Sequence, residues 1–429
     1  MGIIVLVILF VFGFFFTPVF ALAKAGLIVL FLLMFVDFML VFNPRAKIEA
    51  KRVMADKLSN GDENKIIIAI NSKYNWIVHA MVIDELPEQF QVRNMKHRVM
   101  IPPMGEKLVE YHLRPVKRGE YHFGVVNVYV SSNLMLVQKR YRAAHAQMAP
   151  VYPSYIQMRK YQLMALNDRL VDIGIKKIRR IGQTMEFDQV RDYVTGDDIR
   201  NINWKATARK ASLMVNQYQD EKAQNIYSII DKGRAMKLPF EGMTLLDYAI
   251  NSTLVLSNIS LIKQDKPGVI TFSEKMGNFL PAERKAMQMH SIMELLYKQK
   301  TRYLESNYEM LVAFIRRKIT GRSLLMFYTN FESMASLKRQ IPYFQLLAKN
   351  HLVTVIFFEN TELKDLLETE VVTTEDIYIK TIAEKFAYEK RQIVKELAKY
   401  GIHSILTPPK NLTVNTINKY FEFKARGLI

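Results

Sequence analysis

The sequence predicts a multidomain chain: an N-terminal transmembrane helical hairpin, an immunoglobulin-like β-sandwich, and a C-terminal α/β domain built on a doubly wound parallel sheet. Three observations carry that prediction. The first 42 residues hold only two charges, Lys24 and Asp37. The next hundred are runs of β-branched and aromatic residues cut by turn signals, and from about residue 223 apolar strand-like runs alternate with helix-spaced apolar residues. The expected boundaries are 1–44 for the hairpin, 45–155 for the sandwich, 156–222 for a charged segment and 223–429 for the α/β domain.

In the hairpin, Ile3 to Phe16 reads as a first helix ended by Thr17-Pro18, and a second runs from Ala21 or Lys24 to Phe42. About 20 residues at ~1.5 Å each cross a ~30 Å hydrocarbon core, whereas the first helix is short for that task. Ala21-Leu22-Ala23 resembles a signal-peptide cleavage site, but no basic segment precedes the apolar run. Arg45, Lys47, Lys51, Arg52 and Lys57 outnumber Glu49 and Asp56, which puts the following residues on the cytoplasmic side. Asp37, one and a half turns inside the second helix, is expected near the interface, reaching headgroups or a flanking base.

The sandwich follows from Lys65 to Ile70, Trp76 to Ile83, Lys107 to Val116 and Tyr121 to Val130, separated by Ser59-Asn60-Gly61-Asp62, Leu86-Pro87, Pro102-Pro103-Met104-Gly105 and Lys117-Arg118-Gly119. The α/β domain opens with a buried strand, Asn225 to Ile230. It continues through Gly268 to Phe272, Pro281 to Lys298, Asn307 to Ile319, Ser323 to Thr329, Met334 to Lys349 and Leu352 to Phe358. A helix from Glu375 to Tyr400 is expected to bury Ile382, Phe386, Ile393, Leu397 and Tyr400, and a terminal helix starts at Thr413. Strands this apolar require cover on both faces, the condition of a parallel sheet. In such sheets ligands bind beyond the carboxyl ends of the strands, which selects Asp231 to Ala235, Lys300 to Arg302 and Thr329 to Glu332.

Composition narrows the function. The chain of 429 residues has 60 Lys and Arg against 41 Asp and Glu, a net charge of +19 that suits an anionic surface such as a membrane. It has no cysteine, which excludes disulfide frameworks, thiolate zinc sites, iron–sulfur clusters and a cysteine nucleophile. The eight histidines show no metal-ligand spacing, and phosphate-binding glycine loops and nucleophile elbows are lacking. Lys176-Lys177-Ile178-Arg179-Arg180 is a basic run without an aromatic platform, so nucleic acid is not expected.

One stretch is more specific. Arg191-Asp192-Tyr193, Gly196-Asp197-Asp198-Ile199-Arg200, Asn203-Trp204 and Ala208-Arg209 follow one another between Phe187 and Val215, with Arg322 to Leu325, Thr329-Asn330-Phe331 and Leu412 to Asn415 in support. On these residues the chain resembles the domain of unknown function 58 family, whose C-terminal part is a von Willebrand factor A-like domain. The resemblance implies a bacterial inner-membrane protein with its soluble domains in the cytoplasm. It also implies an adaptor or scaffold role towards a MoxR-type AAA+ ATPase or a membrane complex during assembly or activation.

The resemblance further implies a divalent cation held by an Asp-x-Ser-x-Ser loop, a threonine and a second aspartate. Here Asp231 keeps the first carboxylate, Gly233 and Ala235 replace the serines, Thr301 matches the threonine and Asn330 replaces the second aspartate. A site of Asp231, Thr301 and Asn330 is degenerate: Mg²⁺ or Ca²⁺ is the sole candidate cofactor, and occupancy is not expected. Asp231 is instead expected to cap its loop or pair with Arg234. Asp231, Lys232, Arg234, Thr301 and Asn330 then form a partner-binding rim, and no catalytic residue is assigned. The enzyme alternative is a hydrolase using carboxylates of the Asp192 to Asp198 segment. A structural reading makes that segment a turn held by charge-assisted bonds, with Trp204 packed on the sheet.

Overall fold

In the first stretch of chain, α1 (Gly2–Gly13) and α2 (Thr17–Val41) form an antiparallel apolar pair. This computed structural model describes residues 2–92, 95–166, 186–195, 197, 199–219, 223–360 and 374–429. Pro18 stands in the first turn of α2, where a missing N–H costs nothing, so it opens that helix and the break falls on Gly13 to Phe16. The segment Pro18–Val41 is long and apolar enough to cross a membrane. Leu245–Ile262, at 18 residues, is also long and apolar enough, but lies mostly buried inside a protein core.

Ten strands follow: β1 (Ile48–Val53), β2 (Leu58–Ser59), β3 (Asn64–Ser72), β4 (Val78–Asp84), β5 (Lys96–Ile101), β6 (Glu106–Leu113), β7 (Gly119–Phe123), β8 (Val126–Ser131), β9 (Gln138–Ala143) and β10 (Gln147–Tyr152). They pair as β1-β3-β6, β2-β10-β7 and β5-β4-β8-β9. Alternation selects the core: Ile66, Ile68 and Ile70 of β3 and Val78, Ala80 and Val82 of β4 point inward, with Val126, Val128 and Val130 of β8. Inside this region Asp84 is buried and held by Arg52, whose Nε donates at 3.0 Å and whose Nη2 also bonds it. Tyr111 Oη donates to the same carboxylate.

Asp37 departs from expectation. It is fully buried, and accepts hydrogen bonds from Ser132 Oγ and from the backbone N–H groups of Leu136 (2.9 Å) and Val137 (2.8 Å). A loop of the strand-rich region, 99 and 100 residues away in sequence, takes the place of headgroup or base. Spacing within one helix carries no trace of such a partner.

The chain divides into two compact units, Met1–Tyr152 and Pro153–Ile429. The second begins with α3 (Tyr155–Leu166), the hairpin β11 (Glu186–Asp192) and β12 (Met214–Gln219), and between them α4 (Trp204–Lys210). Then come β13 (Asn225–Asp231), β14 (Pro239–Phe240), β15 (Met243–Thr244), α5 (Leu245–Ile262), β16 (Lys266–Phe272), β17 (Met276–Leu280), α6 (Gln288–Tyr297), α7 (Tyr308–Lys318), β18 (Leu324–Tyr328), α8 (Met334–Ala348) and β19 (Leu352–Phe358). The unit closes with α9 (Thr374–Lys399), β20 (His403–Thr407) and α10 (Leu412–Ala425).

Six strands join in the order β17-β16-β13-β18-β19-β20. Five are parallel and β17 is antiparallel at the edge, so the sheet is mixed rather than wholly parallel. The expectation missed β17 because it is short, half-exposed and broken by Gly277-Asn278, and a tight turn folds it back on β16. One face packs on α5, α6 and α10 through Leu254, Ile292 and Tyr420. The other packs on α7, α8 and α9 through Leu311, Phe344 and Ile393. Alternate β13 residues supply both cores, Ile226 and Ile230 to the first, Tyr227 and Ile229 to the second.

The α9 stripe is half right. Ile393 and Leu397 are buried, whereas Ile382, Phe386 and Tyr400 are exposed: the sheet core takes residues from the second half of α9, and Tyr400 stands in the turn beyond its end.

Candidate functional site

Each parallel strand delivers its last residue to one edge of the sheet, and β13 delivers Asp231. Its carboxylate is buried and surrounded by donors from separate segments. Gly233 N donates to Oδ1 at 2.8 Å, and Ser306 Oγ to the same oxygen. Thr329 Oγ1 and Tyr308 Oη donate to Oδ2 at 2.8 and 3.3 Å. Burial raises the Asp231 pKa, and the four hydrogen bonds oppose that rise. Burial and the neighbouring Asp231 likewise push the Tyr308 hydroxyl well above its ordinary value.

Gly233 is a steric requirement here. A Cβ at that position would strike Ser306 Oγ, so the residue standing where the resemblance expects a serine makes room for a serine from another loop. Asp231 thus caps its loop through the Gly233 N–H; Arg234 instead extends outward to Glu332 at 3.6 Å and Glu305 at 4.0 Å, and Arg339 reaches Glu305 at 3.7 Å. These alternating charges surround a shallow cavity of about 130 Å³ that Asp231 and Asn330 also line.

The other expected residues are dispersed. Lys232 is buried, its Nζ donating to Gln299 Oε1 at 3.1 Å, and burial lowers its pKa. Thr301 is half-buried, lines no part of the cavity and gives Asp231 no hydrogen bond. Asn330 turns toward α9, where Lys390 Nζ donates to its Oδ1 at 2.7 Å and to Phe331 O at 2.5 Å. Burial brings the Lys390 pKa down to about 8. Beside it lies a larger pocket of about 600 Å³, apolar along Leu238, Phe240, Phe358 and Phe386 and polar at Asn330 and Lys390.

A divalent cation does not fit this donor set. Mg²⁺ and Ca²⁺ take six or more oxygens, with carboxylates prominent. Here the one carboxylate accepts four protein hydrogen bonds, Asn330 is engaged by an ammonium, and Arg234 adds positive charge at the mouth. Among the described residues, no group of three or more His, Asp and Glu side chains could hold a metal.

In the charged segment, Arg191 Nη2 donates to Asp197 Oδ1 at 2.6 Å and Val194 N to Oδ2 at 2.9 Å. Those bonds, the backbone one foremost, hold the Asp197 carboxyl below its ordinary range. Asp192 faces Lys210 at 3.4 Å and Ser212. Asn203 caps α4 through Ala206 N, and Tyr193 N bonds Leu213 O. Arg200 and Arg209 are exposed. So is Trp204, at 68%, contrary to the expectation that it packs on the sheet, because α4 is under two turns long and sets its first residue outward. Gly196, Asp198 and the Lys176 to Arg180 run lie outside the described residues.

Ser306 and Tyr308 are the site residues that sequence reasoning passed over, while its place after a strand selects Thr329 without giving it a role. Ser306 and Tyr308 flank the Asn307 cap at the start of α7, and that cap is their one local signal.

Residues 189–367 match the family described as "Protein of unknown function DUF58". A curated relative, "Uncharacterized protein YeaD" of Bacillus subtilis (strain 168), is 28% identical over 203 residues, which is 45% of this chain and 50% of that protein. The chain therefore spans about half the length of that relative. Among solved structures, similarity extends to the CARDB domain of the PF1109 protein from Pyrococcus furiosus, at 12% identity over 25% of this chain and 94% of that one, TM-score 0.20. It extends also to the ASH / PapD-like domain of human CEP192, at 12% identity over 26% and 84%, TM-score 0.17. Neither score carries a structural conclusion.

Proposed function

We propose that this chain, whose residues 189–367 match the DUF58 family, is a membrane-anchored adaptor that engages a partner protein through the carboxyl edge of its C-terminal sheet. In this reading α1 and α2 are the anchor and the strand-rich region is an immunoglobulin-like spacer. The six-stranded unit is a von Willebrand A-like domain whose cation seat is replaced by internal hydrogen bonds. The basic residues after α2 hold both units on the cytoplasmic side of a bacterial inner membrane. The partner is a MoxR-type AAA+ ATPase, which would supply nucleotide hydrolysis while this chain supplies attachment.

One observation carries the proposal: the self-satisfied Asp231 lies at the centre of an exposed ring of Arg234, Glu305, Glu332 and Arg339. A carboxylate whose acceptor positions are filled is a poor base or ligand, whereas a ring of alternating charges beside an apolar pocket suits protein recognition. Purification of the full-length chain from membranes should recover an ATPase, and Arg234→Glu together with Glu332→Lys should release it. Retention by both variants defeats the proposal. So does substrate turnover by the chain that disappears in Asp197→Asn.

A further inference from the structure

The loop that holds Asp37 has a second unexplained property. Between β8 and β9 it presents Leu134, Met135 and Leu136 to solvent, at 43, 59 and 41% exposure, with Met135 at its tip in the left-handed region (φ 53°). Three adjacent exposed apolar side chains on a tight turn are costly in water. The same loop is fixed by its backbone to a helix long and apolar enough to span a bilayer.

The depth of that attachment can be read along α2. Lys24 Nζ lies over the Phe20 ring at 4.4 Å, so its charge sits at the level of Phe20. From Phe20 to Asp37 is 17 residues, or roughly 26 Å of helix, close to a ~30 Å hydrocarbon core. The two polar groups therefore bracket the core, and the loop on Asp37 stands at its border. Buried Tyr74 ties the end of the helix to the strand-rich unit, its Oη donating to Val41 O at 2.7 Å with Trp76 packed edge-on against its ring at 4.9 Å. Lys139, directly after the loop, places its amine 5.2 Å from the Phe42 ring, where anionic headgroups would meet it.

We propose that the Leu134-Met135-Leu136 loop is a second membrane contact, inserted into the interfacial layer of the bilayer beside the end of α2. It rests on the reading of α2 as a span. With two attachments, the strand-rich unit stands on the membrane in one orientation instead of swinging from Asn43-Pro44. The occupant is lipid, because the triplet is tethered at the depth where lipid begins.

The absence of native cysteine permits a direct test. Leu32→Cys in mid-α2, Met135→Cys at the tip and Lys65→Cys on exposed β3 are spin-labelled singly in the full-length chain. Each is reconstituted into phosphatidylethanolamine and phosphatidylglycerol liposomes and read for collisions with oxygen and with a water-soluble nickel chelate. The Met135 label should favour oxygen, like Leu32 and unlike Lys65, with Leu136→Cys repeating the result. A water-exposed Met135 label beside a lipid-exposed Leu32 label overturns the second contact and leaves the span standing. A Met135 label shielded from both reagents means protein covers the loop, which also overturns the lipid assignment. A water-exposed Leu32 label removes the span and the inference together.

Discussion

Two buried aspartates, one in each unit, solve the same problem in opposite ways. Asp84 lies in the strand-rich unit against a guanidinium almost wholly buried with it, so a charge is cancelled by a charge. Asp231 lies at the end of the central strand of the α/β unit among four neutral donors, and among the described residues no cationic side chain hydrogen-bonds or ion-pairs with it. The second unit is not short of cations: Asp265, buried nearby in sequence, is met by Lys424 at 2.9 Å. The difference teaches that Asp231 is held by geometry where the other two are held by charge. A carboxylate held that way keeps a raised proton affinity, because burial penalises its charged form and no cation offsets that penalty.

The largest effect should come from breaking the charged pair. Arg52→Met strands a buried carboxylate, and also removes the guanidinium from the Phe123 ring 5.1 Å away. A loss of ~3–5 kcal/mol is expected in denaturant unfolding of the first unit. Arg52→Met with Asp84→Leu should recover most of it, since removing both charges removes the desolvation cost. A single variant no less stable than its parent would make the pair dispensable and erase the contrast.

Asp231→Asn should cost less, about 1–3 kcal/mol, because three of its four partners are hydroxyls that can turn and accept from the new amide. Its pH dependence supplies a second test. The folded pKa of Asp231 is raised above its ordinary value of 3.8, so the folded state binds the proton more tightly than the unfolded one. Its contribution is fully present below 3.8 and is lost as pH rises through the folded value. The stability difference between parent and Asp231→Asn should therefore widen toward acid, opposite to an ordinary paired carboxylate. A flat difference would mean that Asp231 is ionised with an unseen counter-charge.

The contrast was only partly legible in the sequence. Asn225 to Ile230 declares itself because a strand covered on both faces is a continuous apolar run, and the resulting edge fixes where Asp231 must stand. Its pairings do not declare themselves: the strand pattern places Thr329 on the same edge but not Ser306 and Tyr308, and nothing local ties hydroxyls 75, 77 and 98 residues downstream to this carboxylate. Asp37 and its loop fail for the same reason. Trp204 misled because size suggests burial, while a short capped helix can set even a tryptophan outside. Periodicity reports which face is apolar; it does not report which polar groups a fold will join.

Lys390 sharpens the comparison from the cationic side, being a buried ammonium bonded to an amide and a carbonyl. Its folded value of about 8 lies below the ordinary 10.5, so the unfolded chain binds more protons between those limits. Its contribution is present above 10.5 and is lost as pH falls through about 8. The second unit should gain stability as pH rises across that window, and Lys390→Met should remove the slope. An unchanged slope would place the titrating group elsewhere.

The smallest expected effect concerns the rim, and its smallness gives it value. The Arg234 and Glu332 side chains are 58 and 53% exposed at 3.6 Å, a pair for which water screens most of the attraction. Arg234→Glu should therefore move thermal unfolding by no more than ~0.5–1 kcal/mol in either direction. Salt should shrink even that. Asp231, a few ångströms inward, must keep its hydrogen bonds for the edge to exist, whereas Arg234 is free of any such duty. A variant that keeps its stability and loses its partner locates recognition in the ring of charges. One that loses both shows that ring and buried aspartate form a single structural element, and the division between a geometric interior and a recognising rim would fall.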